Sequence, residues 1–413
     1  MRYAFPQFFE SKVRFLSYTV VHHALVDAGH EVVGEIDSSV DAVLFSMCDV
    51  TEYPKLRRLY SRANGVPVIV GGAFTFNFFS AKLYSDGVWV GEVYEMAECQ
   101  TIDELMTSPH CYTGGDVLPT AAQRIDWAKV PIAQIDPTKC YYWGGAGCKN
   151  RCRFCYTSWT HRHSTNSRSR IAAAQKIAKQ KKLHIMVSSN EYENDPGART
   201  FDMMLVDYLK APVSASSVRM GVEFATEDVR RRNGKAMTDN EIFHAIQKAQ
   251  KEKVSLKLFH ITGYEPLADW ERYIDNLGVM AERAGYTKLL WLGFNNLQYQ
   301  NFTPLYAERR SIDPDKYIDI AKTREWYDRL RLHMPSVLVG APSTFQHVCC
   351  RMGVELSMDR EQVDFWLRMM SDPNKKMTKD SAYKALFDSR VLDTPPLILN
   401  PNTGEIRVNE AWR

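Results

Sequence analysis

Gly147-Cys148-Lys149-Asn150-Arg151-Cys152-Arg153-Phe154-Cys155-Tyr156 places three cysteines on one short stretch, spaced CxxxCxxC. It follows directly on Lys139 to Trp143, a predicted strand, so the thiols stand on a loop that leaves a strand end. Three thiolates on one loop can bind three irons of a cubane cluster and leave the fourth iron open for chemistry. A structural zinc ion would want a fourth Cys or His at finger-like spacing, which is missing here, although His161 and His163 lie close enough to be weighed. Lys149, Arg151 and Arg153 interleave with the cysteines and mark an exposed loop, not a chance meeting of core thiols.

On either side of this loop the chain reads as two α/β series. In the first hundred residues Glu31 to Ile36, Ala42 to Met47, Val66 to Val70 and Val88 to Val90 read as strands. Leu56, Leu59, Tyr60 and Ala63 recur at i, i+3, i+4 and i+7, one face of a helix between two of them. That is the order of a small Rossmann-like domain. From Thr101 to Pro131 the period is lost and Pro, Gly, Thr and Ser gather, which predicts a linker. The second series has strands at Lys139 to Trp143, His184 to Ser188, Val218 to Phe224, Leu256 to Thr262 and Lys288 to Leu292, separated by helix-length segments such as Asp239 to Lys251. It predicts a partial (β/α) barrel of the TIM type, with its chemistry at the carboxyl ends of the strands. A further strand is expected near Val213 to Ser216. After Pro304 the pattern turns mainly helical, near Tyr317 to Leu332 and Glu361 to Met370, and closes on an extended piece at Pro396 to Val408. The expected division is therefore 1–110, a linker at 111–131, the barrel at 132–310 and a helical region at 311–413.

The CxxxCxFC pattern on the loop after the first barrel strand resembles the signature of the radical S-adenosylmethionine (SAM) superfamily, over about Lys139 to Pro304. That resemblance implies a 4Fe-4S cluster held by Cys148, Cys152 and Cys155. It also implies SAM on the open iron, an electron donor such as flavodoxin or ferredoxin, and a 5'-deoxyadenosyl radical that abstracts hydrogen from a substrate. Ser188-Ser189-Asn190-Glu191 stands where the family has the turn that receives the SAM amino group, though its glycines are absent. Met220-Gly221-Val222-Glu223-Phe224, with Asn233-Gly234-Lys235 after it, resembles the segment whose Glu reaches the SAM ribose or amine, and Lys235 joins the SAM-binding set. Ile261-Thr262-Gly263 resembles the backbone that supports the adenine, so Ile261 and Gly263 are expected there. Gln300-Asn301-Phe302-Thr303-Pro304-Leu305 resembles the run that follows the last barrel strand of the same subgroup. Val66 to Ala73 and Val88 to Glu95, with Gly71, Gly72, Gly91 and Glu92, resemble the amino-terminal domain of cobalamin-type members. The DxHxxG motif that ligates cobalt is absent, so the expectation is a degenerate domain, with cobalamin open but not favoured.

Composition sets limits. The chain has 413 residues, 45% apolar and 24% charged, with a net charge of +3. No apolar run approaches the roughly 18 residues of a membrane span, and the first residues lack the apolar core of a signal peptide, so a cytoplasmic enzyme is expected. Nine cysteines without that signal argue against a disulfide framework. Cys349 and Cys350 read as small buried residues more readily than as hydrogen donors. Thr138 to Asn190 holds eleven Lys and Arg and no Asp or Glu, with Tyr141, Tyr142, Trp143, Tyr156 and Trp159 among them. Cations among aromatics suit phosphates and bases. They lead to the expectation of a nucleotide or nucleic-acid substrate, with isomerisation of a hypermodified thymine in DNA as an analogy of class. Two alternatives stand beside it: a cobalamin-dependent methyltransferase or ring-modifying enzyme, and a nucleic-acid-binding protein with a structural metal.

Overall fold

The computed structural model describes residues 1–11, 16–121, 125–188, 200–308, 312–371 and 377–409. Strands β1 (Arg2–Ala4), β2 (Glu31–Val33), β3 (Ala42–Ser46), β4 (Val68–Gly71), β5 (Gly87–Trp89) and β6 (Cys111–Tyr112) form one sheet in the order β2-β1-β3-β4-β5-β6. It is parallel except for β6, which runs antiparallel to β5. All five residues of β3 are buried, as a strand covered on both faces requires. The helix Tyr53–Arg62 covers one face through Leu56, Leu59 and Ala63, and each leucine so buried contributes about 1.5–3 kcal/mol. The stretch from Thr101 that reads as aperiodic opens instead with a helix at Ile102–Thr107, capped by the Thr101 hydroxyl, and then supplies β6. Helix and strand there are too short to leave a period in the sequence.

The second series contains β7 (Ala133–Gln134), β8 (Lys139–Trp143), β9 (Gly145–Ala146), β10 (Ser164–Thr165), β11 (His184–Ser188), β12 (Thr200–Asp202), β13 (Ser217–Glu223), β14 (Ser255–Thr262), β15 (Leu290–Asn296) and β16 (Val337–Gly340). Strands β8 and β11 pair in parallel, with β7 antiparallel on the other edge of β8. Strands β12 to β16 form a second sheet, all parallel and in sequence order. Two corrections follow. The extra strand expected at Val213 to Ser216 is β12, which begins thirteen residues earlier, while Val213 to Ser216 is irregular. Strand β16, which the sequence reading missed, carries the sheet past residue 310. Burial along β14 alternates without exception: Leu256, Leu258, His260 and Thr262 are fully enclosed and the residues between them half-buried.

Beyond β16 the helices Phe345–Leu356, Arg360–Ser371 and Lys379–Asp388 precede a small antiparallel hairpin, β17 (Leu397–Leu399) with β18 (Ile406–Val408). They do not stand apart. One core joins Val43, Val70 and Phe78 of the first sheet region to Leu305 and Tyr306 and to Val348, Met352 and Trp366 of these helices. Tyr84 donates to Asp364 at 2.7 Å, and Arg351 to Asp49 at 2.6 Å, across the same seam. Among the described residues no helix is long and apolar enough to cross a membrane.

Candidate active site

The cysteine loop is closed at its neck. Strands β9 and β10 pair just after β8, and the buried Asn166 ties the neck to Gly144 O at 2.9 Å and to Trp143 O at 3.2 Å. Gly147 has φ +64°, and a Cβ there would meet His161 O at 2.6 Å, so only glycine fits the crossing. Inside the loop Trp159 Nε1 donates to Cys152 O at 2.9 Å, and the Arg151 guanidinium lies 5.3 Å over the Trp159 ring. Two segments hold the loop from outside. Arg153 N donates to Asn233 O at 3.2 Å, while a Cβ on Gly234 would press to 3.1 Å from Cys152 Cα. Leu305 N donates to Arg153 O at 3.0 Å, and Tyr156 N to Gln300 Oε1 at 3.3 Å. Both holding segments are ones the sequence had marked.

All three thiols line a cavity of about 280 Å³ together with Glu223, Lys235, Arg219, Met204 and Phe259. Residues Arg219, Gly221 and Glu223 alternate along β13 and point into it. Glu223 ends the strand where its register against β14 slips, and it holds φ +70°. A left-handed residue other than glycine costs about 1–3 kcal/mol and persists where the surroundings over-determine it. Here they do: Lys235 Nζ stands 3.2 Å from Glu223 Oε1, both nearly buried, and a Cβ on Gly221 would collide with that oxygen and reach 2.9 Å from Nζ. Burial raises the Glu223 carboxyl against the pull of Lys235. Burial also pushes Cys152 up to about 11, opposed by Lys235, so the buried thiol stays neutral until a metal displaces its proton.

Three thiols on one cavity wall could each take a separate iron of a cubane. Neither histidine completes a zinc site with the cysteines: His161 packs edge-on to Phe76 at 5.6 Å and faces another cavity, and His163 is exposed.

The remaining predicted residues fall as follows. Ser188 ends β11 beside Trp143, and Ser189, Asn190 and Glu191 lie outside the described residues. Ile261 packs on the main core. Gly263, at φ +98°, donates its amide to Lys316 O at 2.9 Å beneath the Tyr317 ring. Neither Ile261 nor Gly263 lines the thiol cavity. Glu265 is a fastener, accepting from Ala225 N, Thr226 N and Thr226 Oγ1 at 2.7–2.8 Å. Cys349 and Cys350 are fully buried in the main core and their thiols are raised by that burial. Sequence reasoning passed over Arg230, whose fully buried guanidinium donates to Met237 O, Phe224 O and Ala225 O and pairs with Asp239. Within a run of three arginines nothing marks the buried one.

A second cavity, of about 330 Å³, opens at the carboxyl ends of β3, β4 and β5. Its walls are mostly apolar, among them Phe45, Ile69 and Trp89, and its polar groups include Thr75, Glu92 and His161. Trp143 and His161 come from the neck of the cysteine loop, so one loop separates the two cavities. Burial raises Glu92 to about 7 and lowers His161, whose Nε2 lies 3.8 Å from Glu92 Oε1. Gly72, at φ +99°, has no room for a Cβ, which would meet Met47 O at 2.6 Å.

Among solved structures the chain is similar to the cobalamin-dependent S-adenosylmethionine radical enzyme OxsB with aqua-cobalamin bound. The TM-score is 0.54 at 12% identity, over 95% of this chain and 79% of that one. The same enzyme with aqua-cobalamin and S-adenosylmethionine bound matches with a TM-score of 0.53, at the same identity and coverage. The likeness is one of fold, and at that level the resemblance drawn from the motifs holds. No family model matches the sequence, and no curated protein matches it.

Proposed function

We propose that this protein is a cobalamin-dependent radical SAM enzyme. The observation that carries the reading is the single loop whose cysteines line one cavity and whose neck, through Trp143 and His161, lines the other. A fold similar to that of an enzyme whose structure holds both aqua-cobalamin and SAM supports it. This reverses the preference for a degenerate first domain: the strand ends that resemble cobalamin-type members open on a cavity, and an apolar wall with few polar groups suits a large flat ligand. The two parallel sheets of the second series are read as arcs of one partial barrel.

In this reading Cys148, Cys152 and Cys155 hold a 4Fe-4S cluster, which supplies the electron that cleaves SAM, and the chain's own residues set the stage. Lys235 and Glu223 face the thiols as a buried pair able to receive a zwitterionic ligand. The neck of the loop and the core beneath it exclude water. Gln300 and Leu305 fix the loop's third side. A second reading concerns the substrate. Ten of the eleven cations between Thr138 and Asn190 are exposed, which favours a phosphate-bearing or nucleic-acid partner on that face, a modified nucleobase included.

Anaerobic reconstitution followed by reduction with SAM tests the reading, assayed for 5'-deoxyadenosine and, by absorbance, for bound cobalamin. Cleavage together with stoichiometric cobalamin is the expected outcome. A fully loaded cluster that neither binds nor cleaves SAM would return the protein to the structural-metal alternative.

A further inference from the structure

The polar walls of the thiol cavity are nearly all occupied. Glu223 and Lys235 pair with each other, Arg219 pairs with Asp202, and Asn150 Nδ2 donates to Cys148 Sγ at 3.5 Å. Ser158 lines the same cavity and is left over: the residue is 4% exposed, and among the described residues its Oγ is buried without a hydrogen-bond partner. Its main chain is engaged. Ser158 N donates to Cys155 O at 3.1 Å, in the turn that opens the short helix Thr157–Thr160, so the third cysteine of the loop carries it. A hydroxyl in such a turn can satisfy itself by donating to the carbonyl four residues back, and Thr160, two residues on, does so to Tyr156 O at 3.0 Å. Ser158 does not, and none of the three thiols accepts from it. The apolar lining of the cavity, which includes Phe154, Met220 and Phe259, offers no strong acceptor. A buried hydroxyl in this position has given up water and gained nothing in exchange, and the acceptor it needs is one the chain does not supply. Arg219 Nε lacks a partner as well, but its side chain is 41% exposed and already holds Asp202.

We propose that Ser158 donates this hydrogen bond to a sulfide of the 4Fe-4S cluster and thereby raises the cluster's reduction potential. The inference rests on the reading of Cys148, Cys152 and Cys155 as cluster ligands, and it adds a residue that governs how readily the cluster takes its electron. A cubane brings bridging sulfides, which accept hydrogen bonds, into the cavity that its three thiolates line. The orphaned hydroxyl fits that chemistry, because the main chain of one ligand holds it on the wall of the same cavity. Reduction adds one negative charge spread over iron and sulfur. A donor aimed at a sulfide stabilises that charged form more than the oxidised one.

A reductive titration of the reconstituted holoprotein, followed by EPR and run without SAM so that any shift belongs to the cluster, reads the midpoint potential. Ser158→Ala is expected to move the one-electron equilibrium roughly tenfold toward the oxidised cluster, about 59 mV, with iron content unchanged, and Ser158→Thr to stay near wild type. Equal potentials in wild type and Ser158→Ala overturn the proposal. A shift seen only with SAM bound also overturns it, because the hydroxyl would then belong to SAM. A second readout separates the hydrogen bond from a packing effect: after exchange into deuterium oxide, ENDOR of the reduced wild-type cluster should show a deuteron coupling that Ser158→Ala lacks, and identical spectra overturn the contact. Should Ser158→Ala fail to retain its iron, Ser158→Thr and Ser158→Val, which set a hydroxyl against a methyl in the same shape, take its place. A tenfold difference between them supports the contact, and equal potentials overturn it. A cluster that shows the shift yet never cleaves SAM would sink the functional reading and leave this contact standing, and a cluster that cleaves SAM with an unshifted potential would do the reverse.

Discussion

Gly221 shows how much one missing side chain can place. It stands two residues before Glu223 on β13, and the space its Cβ would fill is occupied by the Glu223 carboxylate and the Lys235 ammonium. Gly221→Ala must push that pair out of the thiol cavity. The expected outcome is SAM affinity weaker by tenfold or more, about 1.4 kcal/mol, with the iron content of the reconstituted protein unchanged. Equilibrium dialysis with labelled SAM reads it, and an unaltered affinity would remove the Glu223–Lys235 pair from the SAM site. The thiols and the strand-end Glu were legible in the sequence because spacing marks them. The collision at Gly221 was not, because it depends on the left-handed backbone of Glu223, which turns its carboxylate back, and on Lys235 fourteen positions away.

At the scale of elements, the turn from β13 to the helix Asp239–Glu252 carries that pair and is fastened twice. Thr238 and Glu241 form a capping box at the helix start, and Arg230 satisfies three carbonyls at the turn. Removing the Thr238 hydroxyl costs about 1 kcal/mol. Arg230→Leu leaves buried carbonyls and Asp239 unpaired and should cost about 3–5 kcal/mol. Urea midpoints of the two variants should therefore differ severalfold in shift, with Arg230→Leu the larger, and a reversed order would mean that the turn is held elsewhere. The capping box is a local pattern, a Thr three residues before a Glu, though the reading of the sequence did not use it. In the sequence Arg230 has the look of a surface cation, since burial of one arginine among three depends on which carbonyls the fold aims at it.

On the scale of the whole molecule, the first domain and the carboxyl-terminal helices share one core despite lying some 250 residues apart. Trp366 is fully buried and its ring presses on Gly353 of the neighbouring helix. Trp366→Ala should cost about 3–5 kcal/mol, and the loss should appear in the first sheet as well as in the helices. Hydrogen exchange at β3 and β4 is the measurement. Faster exchange there is expected, and faster exchange confined to the helices would show that the two regions unfold independently.

The sequence by itself determined the cysteine loop, the α/β order of both series and most strand positions, because those depend on spacing and short-range hydrophobic period. It missed β12 and β16, a three-residue and a four-residue strand whose pairing comes from neighbours distant in the chain. It did not show the cavity built by strand ends from β3 to β5, since the absence of a histidine motif says nothing about one. Only the tertiary structure decided that one loop walls both cavities and that Arg230 is buried. Each of those facts is a matter of which atoms remain beside a group once water has been removed, and that is settled by packing across the chain, which no local pattern encodes.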